Sequence, residues 1–317
     1  MNQRPAPRLE DVDCPLGCPR QDTPVLTGRD LLHGVPGEFS VVRCAACGLM
    51  RTNPRPAPES MGLYYPADYG PYLGSRVEAA GPARRRSLFA RLLGPLLRFN
   101  TEELPALPPG RMLEVGCASG AFLHRMAQRG WQVQGIEYSD GAAQAARALG
   151  YPVHTGSLET APAPDAPVDL VVGWMVLEHL HDPVAGLRKL RACAKQGAWL
   201  VLSVPNAGSF EFRVFRRNWY ALQLPTHLQH FTPRTLDRLL AAGGWKMEKV
   251  FHQRILGNLV ASLGYVLRDR GFARAGEKLI AFPDRPGPGQ YLLYPLAWLL
   301  SWFGQTGRMT VWARVAP

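Results

Sequence analysis

From residue 111 to residue 204 the chain repeats one pattern: a short apolar run, a turn of small residues, then a helical stretch. Strands joined through helices run parallel, and a parallel sheet must have both faces covered. No other feature constrains the fold as strongly. The strand-like runs are 111–115, 132–137, 151–154, the strongly apolar 168–174, and 198–204. Between them lie helical stretches at 121–130, closed by Gly130, at the alanine-rich 141–149, and at 183–194. Further on, Thr232 reads as the N-cap and Pro233 as the first residue of a helix through 242. Residues 308–315 read as a last strand that completes the sheet. Ahead of the repeat, Leu88, Leu92, Leu96 and Phe99 have helical spacing within 84–100.

The 317 residues suffice for one large domain and one small one, and 46% hydrophobic with 19% charged residues excludes wholesale disorder. A net charge of +11 invites an acidic partner. The basic residues are nearly all Arg, however, alongside abundant Ala, Gly and Pro, a pattern that a biased genome produces without any partner. Nucleic acid is therefore not the expected partner on charge alone. No run approaches the roughly 20 apolar residues that span a bilayer, and no apolar run follows the first charges. The expected location is cytoplasmic. Two apolar stretches, 251–267 and 291–303, carry flanking Arg and aromatics. A membrane-surface lie is one reading of them; helices covering the sheet or a contact between copies is the other.

The turn Gly116-Cys117-Ala118-Ser119-Gly120 lies where the first strand becomes the first helix. Small residues there let a ligand approach the backbone, and the helix start offers free N–H groups. A dinucleotide site asks for three glycines at Gly116, Ala118 and Ala121, and two of them are Ala. The stretch with Glu114 instead resembles the first motif of the class I S-adenosylmethionine-dependent methyltransferases. Ala118 stands where that family usually has its middle glycine. Glu137, ending the second strand, matches the family acid that accepts from both ribose hydroxyls. The resemblance implies a Rossmann-like α/β fold, a seven-stranded mostly parallel sheet with helices on both faces. It also implies cofactor contacts from Glu114, Gly116, Cys117, Ala118, Gly120, Glu137, Tyr138, Ser157, Leu158, Trp174 and Met175.

The run Trp174-Met175-Val176-Leu177-Glu178-His179, followed by Asp182-Pro183, is similar to the fourth-strand segment of small-molecule methyltransferases related to the ubiquinone-biosynthesis enzymes. Ligands of open α/β sheets lie beyond the carboxyl ends of the strands, so this run and Asn206 would share one rim. Glu178 and His179 also read plainly as a cap and a packed side chain. Exocyclic base amines are disfavoured as acceptors, since the Asn/Asp-Pro-Pro-aromatic tetrad is missing. An insertion at about 206–232 pairs Asn218-Trp219 with His227-Leu228-Gln229-His230-Phe231-Thr232-Pro233. It resembles a methyltransferase subgroup of sugar and cell-surface polysaccharide pathways. On that resemblance His227 and His230 are the candidate bases, with His179 beside them and Tyr220 positioning the acceptor. Each histidine also reads as packed, His230 as a cap. Arg213, Arg216 and Arg217 either clamp a diphosphate or form a solvated basic face.

Cys14 and Cys18, with Cys44 and Cys47, make two close pairs. Four thiolates around one ion are the signature of structural zinc. Cys117 and Cys193 have no close partner. The expected organisation is a zinc-ribbon-like module over 1–51, a linker and helix over 52–105, and a methyltransferase domain over 106–317 whose last helices and strand occupy 251–317. The expected cofactors are S-adenosyl-L-methionine and a structural Zn2+. The expected acceptor is a small molecule, first a sugar or nucleotide sugar, second a phenol or quinone. RNA methylation and a non-catalytic, zinc-dependent binding role are the rivals.

Overall fold

A computed structural model describes residues 7–65, 97–285 and 287–316. The helix expected over 84–100 falls mostly outside these, and its described end, 97–100, is irregular chain.

The N-terminal part contributes β1 (Leu9–Glu10), β2 (Asp22–Gly28), β3 (Phe39–Cys44), β4 (Met50–Thr52) and β5 (Arg55–Pro56). The repeat then unrolls as β6 (Arg111–Val115), α1 (Ala121–Ala127), β7 (Gln132–Glu137), α2 (Asp140–Ala148), β8 (Val153–Thr155), β9 (Val168–Trp174), α3 (Pro183–Cys193) and β10 (Ala194–Pro205). Beyond it come α4 (Phe210–Phe215), β11 (Gln229–His230), α5 (Pro233–Ala242) and β12 (Trp245–His252). The chain closes with α6 (Gly257–Asp269), α7 (Ala273–Ile280), α8 (Gly289–Trp302) and β13 (Arg308–Val315).

The expected α/β sheet forms, with seven strands in the order β12-β13-β10-β9-β6-β7-β8. Neighbours from β10 to β8 pair parallel, whereas β13 runs antiparallel to both β10 and β12. β9 lies at the centre with Leu170, Val171 and Val172 at 0–1% exposure, which is why its sequence is so apolar. Helix starts are written locally. Ser139 accepts from the Ala142 N–H at α2 and Asp182 from the Ala185 N–H at α3. Thr232 and Thr235 form a reciprocal capping box at α5.

Three departures have physical reasons. β8 begins at Val153 rather than 151, because Pro152 has no N–H to give a ladder. β10 begins at Ala194 rather than 198, with a register shift between Ala194 and Trp199 that absorbs the extra residues. β12 was not anticipated: it is an edge strand whose Lys246, Glu248 and Lys249 keep its outer face charged, so no strong apolar pattern marks it. α7, also unanticipated, crosses α6 where two glycines meet. A side chain at Gly264 would sit 2.7 Å from the Gly276 carbonyl oxygen.

A second sheet runs β11-β4-β3-β2, and its outer strand β11 comes from the insertion, with Gln229 opposite Arg51 and His230 opposite Met50. The cysteine segment therefore shares a sheet with the insertion. It also shares a core, since Cys14, Cys44, Cys47 and Leu49 pack in one cluster with Phe231, Leu236, Leu239 and Leu240. Arg238 of α5 donates to the Cys47 carbonyl (2.9 Å), and buried Arg51 pairs with Asp22 (2.6 Å). Among the described residues no helix is long and apolar enough to cross a membrane. α8 does leave Leu292, Leu299 and Trp302 exposed.

Candidate active site

At the end of β6 the backbone enters the left-handed region three times, at Gly116 (φ 70°), Ala118 (φ 46°) and Gly120 (φ 81°). The bend is tied to the neighbouring strand by the Gly116 and Cys117 N–H groups, which donate to the Ile136 carbonyl at 2.8 and 3.1 Å. Only glycine fits at 116, because a Cβ there would stand 2.5 Å from Val176 Cγ2. Ala118 bears left-handed strain on the order of 1 kcal/mol. Its N–H donates to Glu137 Oε2 at 2.8 Å, while the Ser139 N–H donates to Glu137 Oε1 at 2.8 Å. Burial pushes this carboxyl's pKa up, and the surrounding N–H groups pull it back. The carboxylate points at the bend, and each oxygen keeps lone pairs for further donors.

Two neighbours carry unspent polar atoms. Glu114 is 2% exposed, Oε2 has no hydrogen-bond partner, and burial pushes its carboxyl to about 8. Trp174 Nε1 is buried without a partner, its ring edge-on to Phe122 at 5.2 Å. Buried groups are normally satisfied, so these two atoms are available to a further partner. Met175 adopts φ 59° and donates its N–H to the Ser203 carbonyl (2.8 Å), turning the chain sharply off β9. Tyr138 is exposed beside Tyr65, their rings 6.4 Å apart. Ser157 accepts from the Thr160 N–H (3.4 Å), and Leu158 is buried. Cys117 directs its sulfur onto Gly135, so it serves the bend as a small packed residue. Burial pushes that thiol's pKa far up. These residues follow β9, β6, β7 and β8, four adjacent strands, at their carboxyl ends.

Past Met175 a single 3-10 turn, Leu177–His179, brings a second group together. Glu178 is fully buried with neither carboxylate oxygen partnered, and burial pushes it to about 8. His179 Nδ1 donates to the Thr226 carbonyl (3.0 Å) and lies 2.8 Å from the Tyr65 hydroxyl. His227 Nδ1 donates to the Ala221 carbonyl (2.9 Å). The two rings meet edge to face at 4.7 Å. Burial drives His179 down to about 4 and, with its histidine neighbours, His227 well below the ordinary range, so both are neutral at pH 7. The structure thus unites His179 and His227, keeps Glu178 of the 174–179 run beside them, and adds Thr226, which sequence reasoning did not single out.

His230 lies three residues on from His227, in β11. The Thr52 hydroxyl donates to the His227 carbonyl (2.7 Å), so His230 Nε2 must be the donor in its 3.2 Å contact with that hydroxyl. Burial lowers its pKa to about 4. The cap of α5 belongs to Thr232 and Thr235, not to His230. Tyr220 stacks on Tyr265 (5.8 Å, 26°), and its N–H is held by Ser262 Oγ at 2.8 Å. Asn206 is spent on structure, donating to the Gly304 and Thr306 carbonyls and accepting from the Gly208 N–H. The three arginines diverge. Arg213 reaches the Gln305 side chain and Arg216 the Val25 carbonyl, while Arg217 lines a cleft of about 620 Å³ with Arg29 and Arg268.

The four cysteine sulfurs lie within 4.8 Å of one another, Cys14 and Cys47 at 3.5 Å. Each pair sits on a closed turn, the Gly17 N–H donating to the Cys14 carbonyl and the Gly48 N–H to the Cys44 carbonyl, both at 2.9 Å. Gly17 (φ 67°) and Gly48 (φ 80°) permit these turns. Four thiolates bonded to one ion at about 2.3 Å stand roughly 3.8 Å apart. The spacing suits a single metal.

The family profile of the methyltransferase domain matches residues 84–250, more than half of the chain. Over 160 residues the chain is 31% identical to a probable S-adenosylmethionine-dependent methyltransferase of Mycolicibacterium smegmatis, covering 48% of this chain and 60% of that one. Over 142 residues it is 32% identical to a ubiquinone biosynthesis O-methyltransferase of Hahella chejuensis, covering 42% and 60%. The chain spans about 60% of the length of these curated relatives. Among solved structures it is similar to an S-adenosylmethionine-dependent methyltransferase from Mesorhizobium loti, at 18% identity and a TM-score of 0.44 over 67% of this chain and 93% of that chain. With its profile match running from ahead of the glycine bend through the insertion and into β12, the chain belongs to the methyltransferase-domain family.

Proposed function

We propose that this chain transfers a methyl group from S-adenosylmethionine to a hydroxyl-bearing small molecule, a sugar or nucleotide sugar. The observation that carries the reading is the Glu137 carboxylate, drawn onto the left-handed bend by the Ala118 N–H with lone pairs to spare for two ribose hydroxyls. Glu114 Oε2 and Trp174 Nε1, buried and unpartnered, suit the polar ends of the same cofactor. When bound, the cofactor supplies an electrophilic methyl carbon on a sulfonium and its own leaving group. The protein must then hold the acceptor in line and receive one proton. His179 and His227 fit that task. Their Nδ1 atoms are committed to backbone carbonyls, so Nε2 presents the lone pair. Depressed pKa values make them weak bases, suited to taking the proton only as the acceptor oxygen gives it up.

The polar groups gathered at Glu178, His179, Thr226 and His227 suit a hydroxylated acceptor better than an apolar one. A phenolic acceptor is the second reading, favoured by relatives named as ubiquinone biosynthesis O-methyltransferases. The cysteine cluster holds a structural zinc ion in this reading, and its shared sheet with β11 makes the metal a brace for the acceptor side. Calorimetry with adenosylhomocysteine on zinc-replete protein tests the cofactor step. Labelled methyl transfer across nucleotide sugars, phenols and RNA tests the acceptor. Label appearing only in RNA removes the sugar assignment, and no heat with adenosylhomocysteine removes the methyltransferase reading altogether.

A further inference from the structure

Glu178 poses a problem that methyl transfer does not solve. Its carboxyl is fully buried, and neither oxygen has a hydrogen-bond partner. An unmet buried polar group costs about 1–3 kcal/mol, more when charged, so a fold that keeps one has reason to complete it. What faces it is a pair of imidazoles. One donor atom each from Glu178, His179 and His227 lies within 4.8 Å of the others.

Each imidazole is held in one tautomer. The Nδ1–H of His179 points to the Thr226 carbonyl and that of His227 to the Ala221 carbonyl, which fixes each tautomer with Nε2 bare. Metal-bound histidines are held in just this manner, the second ring nitrogen donating to a carbonyl or carboxylate. Tyr65, whose hydroxyl lies by His179 Nδ1, stands on that same outer side.

We propose that Glu178, His179 and His227 bind one divalent first-row transition cation, separate from the four-cysteine cluster. Two imidazoles and a carboxylate suit zinc, whereas magnesium and calcium prefer oxygen alone. Ligands about 2.0–2.2 Å from zinc stand roughly 3.3 Å apart in a tetrahedron, so small side-chain movements close the set. Three protein ligands leave a fourth position for an external oxygen. The cysteine cluster has no such vacancy, since all four positions are sulfur. The two sites would divide the work, one structural and one open to a ligand. The site is argued from its own donors and holds whichever acceptor the chain uses; with a cation bound, the two Nε2 lone pairs are committed to it, so the imidazoles serve as bases only in the metal-free chain.

The test is metal content and spectrum, read without any methyl transfer. Full-length protein is stripped with chelator, reloaded with Co2+ or Zn2+, and freed of excess metal. The wild type is expected to hold two equivalents per chain. Its cobalt form is expected to show strong thiolate-to-metal absorption from the cysteines and weaker visible bands from a nitrogen and oxygen site. Glu178→Gln and His227→Asn should each lose one equivalent and the weaker bands, with a fall in affinity of roughly a hundredfold or more, and keep the thiolate absorption. His230→Asn should keep both. If saturating cobalt gives wild type only thiolate absorption, the proposal is overturned, even should the variants fail to fold. Retention of the second equivalent by folded E178Q and H227N overturns it equally. A negative result here leaves adenosylhomocysteine binding untouched, so the two proposals fail independently.

Discussion

The two rims of the proposed reaction site are built on opposite principles. The cofactor rim is backbone: a left-handed bend at Gly116 to Gly120, closed by N–H bonds to Ile136 and to the Glu137 carboxylate, all within one strand-helix-strand unit. The acceptor rim is side chain, and its parts come from distant places. Thr52 bonds His230 across 178 residues and His179 bonds Thr226 across 47. Each rim keeps two unmet polar atoms, Glu114 Oε2 and Trp174 Nε1 on the cofactor side and both Glu178 oxygens on the acceptor side. A rim made of backbone admits one shape of ligand and changes little with sequence. A rim of side chains gathered from distant segments depends on how the whole chain packs.

This contrast can be broken by experiment. The largest effect is expected at His227. His227→Asn should lower methyl-transfer turnover by about 10²- to 10⁴-fold while adenosylhomocysteine affinity stays within roughly twofold of wild type. If affinity for the cofactor product falls as far as turnover, the rims are not separate. Next is Glu137. Glu137→Ala removes charged hydrogen bonds worth about 1.5–3 kcal/mol each, so cofactor affinity measured by calorimetry should drop about a hundredfold or more.

Glu211 sharpens the comparison through pH. It is fully buried, held by the Gly307 N–H (3.0 Å) and Trp219 Nε1 (3.4 Å), and burial lifts its carboxyl to about 7. A folded value above the unfolded one means its contribution is present below about 4.5 and is lost as pH rises through about 7. Denaturant titrations should show wild type weakening across that window. Glu211→Gln should flatten the loss by up to about 3 kcal/mol; an unchanged slope would show that the carboxyl is not what titrates.

The smallest effect links the rims. Gly116→Ala places a Cβ against Val176 and forces a left-handed alanine, costing about 2 kcal/mol of stability. Adding Val176→Ala should recover part of that. Purely additive losses would show that the bend and the β9 turn do not press on each other.

Much of the cofactor half was legible in advance. The bounds of β6, β7, β9 and β13 match their apolar runs, and Glu137 lies where its motif put it, because buried strands and tight turns are specified by neighbours in sequence. The edge strand β12 was invisible because charged residues face outward along it, and α7 because its contact with α6 rests on Gly264 and Gly276 and not on an apolar stripe. On the acceptor side the histidines were visible as residue types, yet not their grouping. Tyr220 and His230 carried the same motif as His227, but Tyr220 packs on Tyr265 and His230 on Thr52.

By itself the sequence determined six of the seven strands of the sheet, the glycine bend with its acid, and the two cysteine pairs, because each is set by a period or spacing of a few residues. Only the tertiary structure decided that β11 joins the cysteine segment to the insertion, and that Glu178 faces His179 and His227. Those meetings depend on which surfaces are buried together, and burial is a property of the whole folded chain.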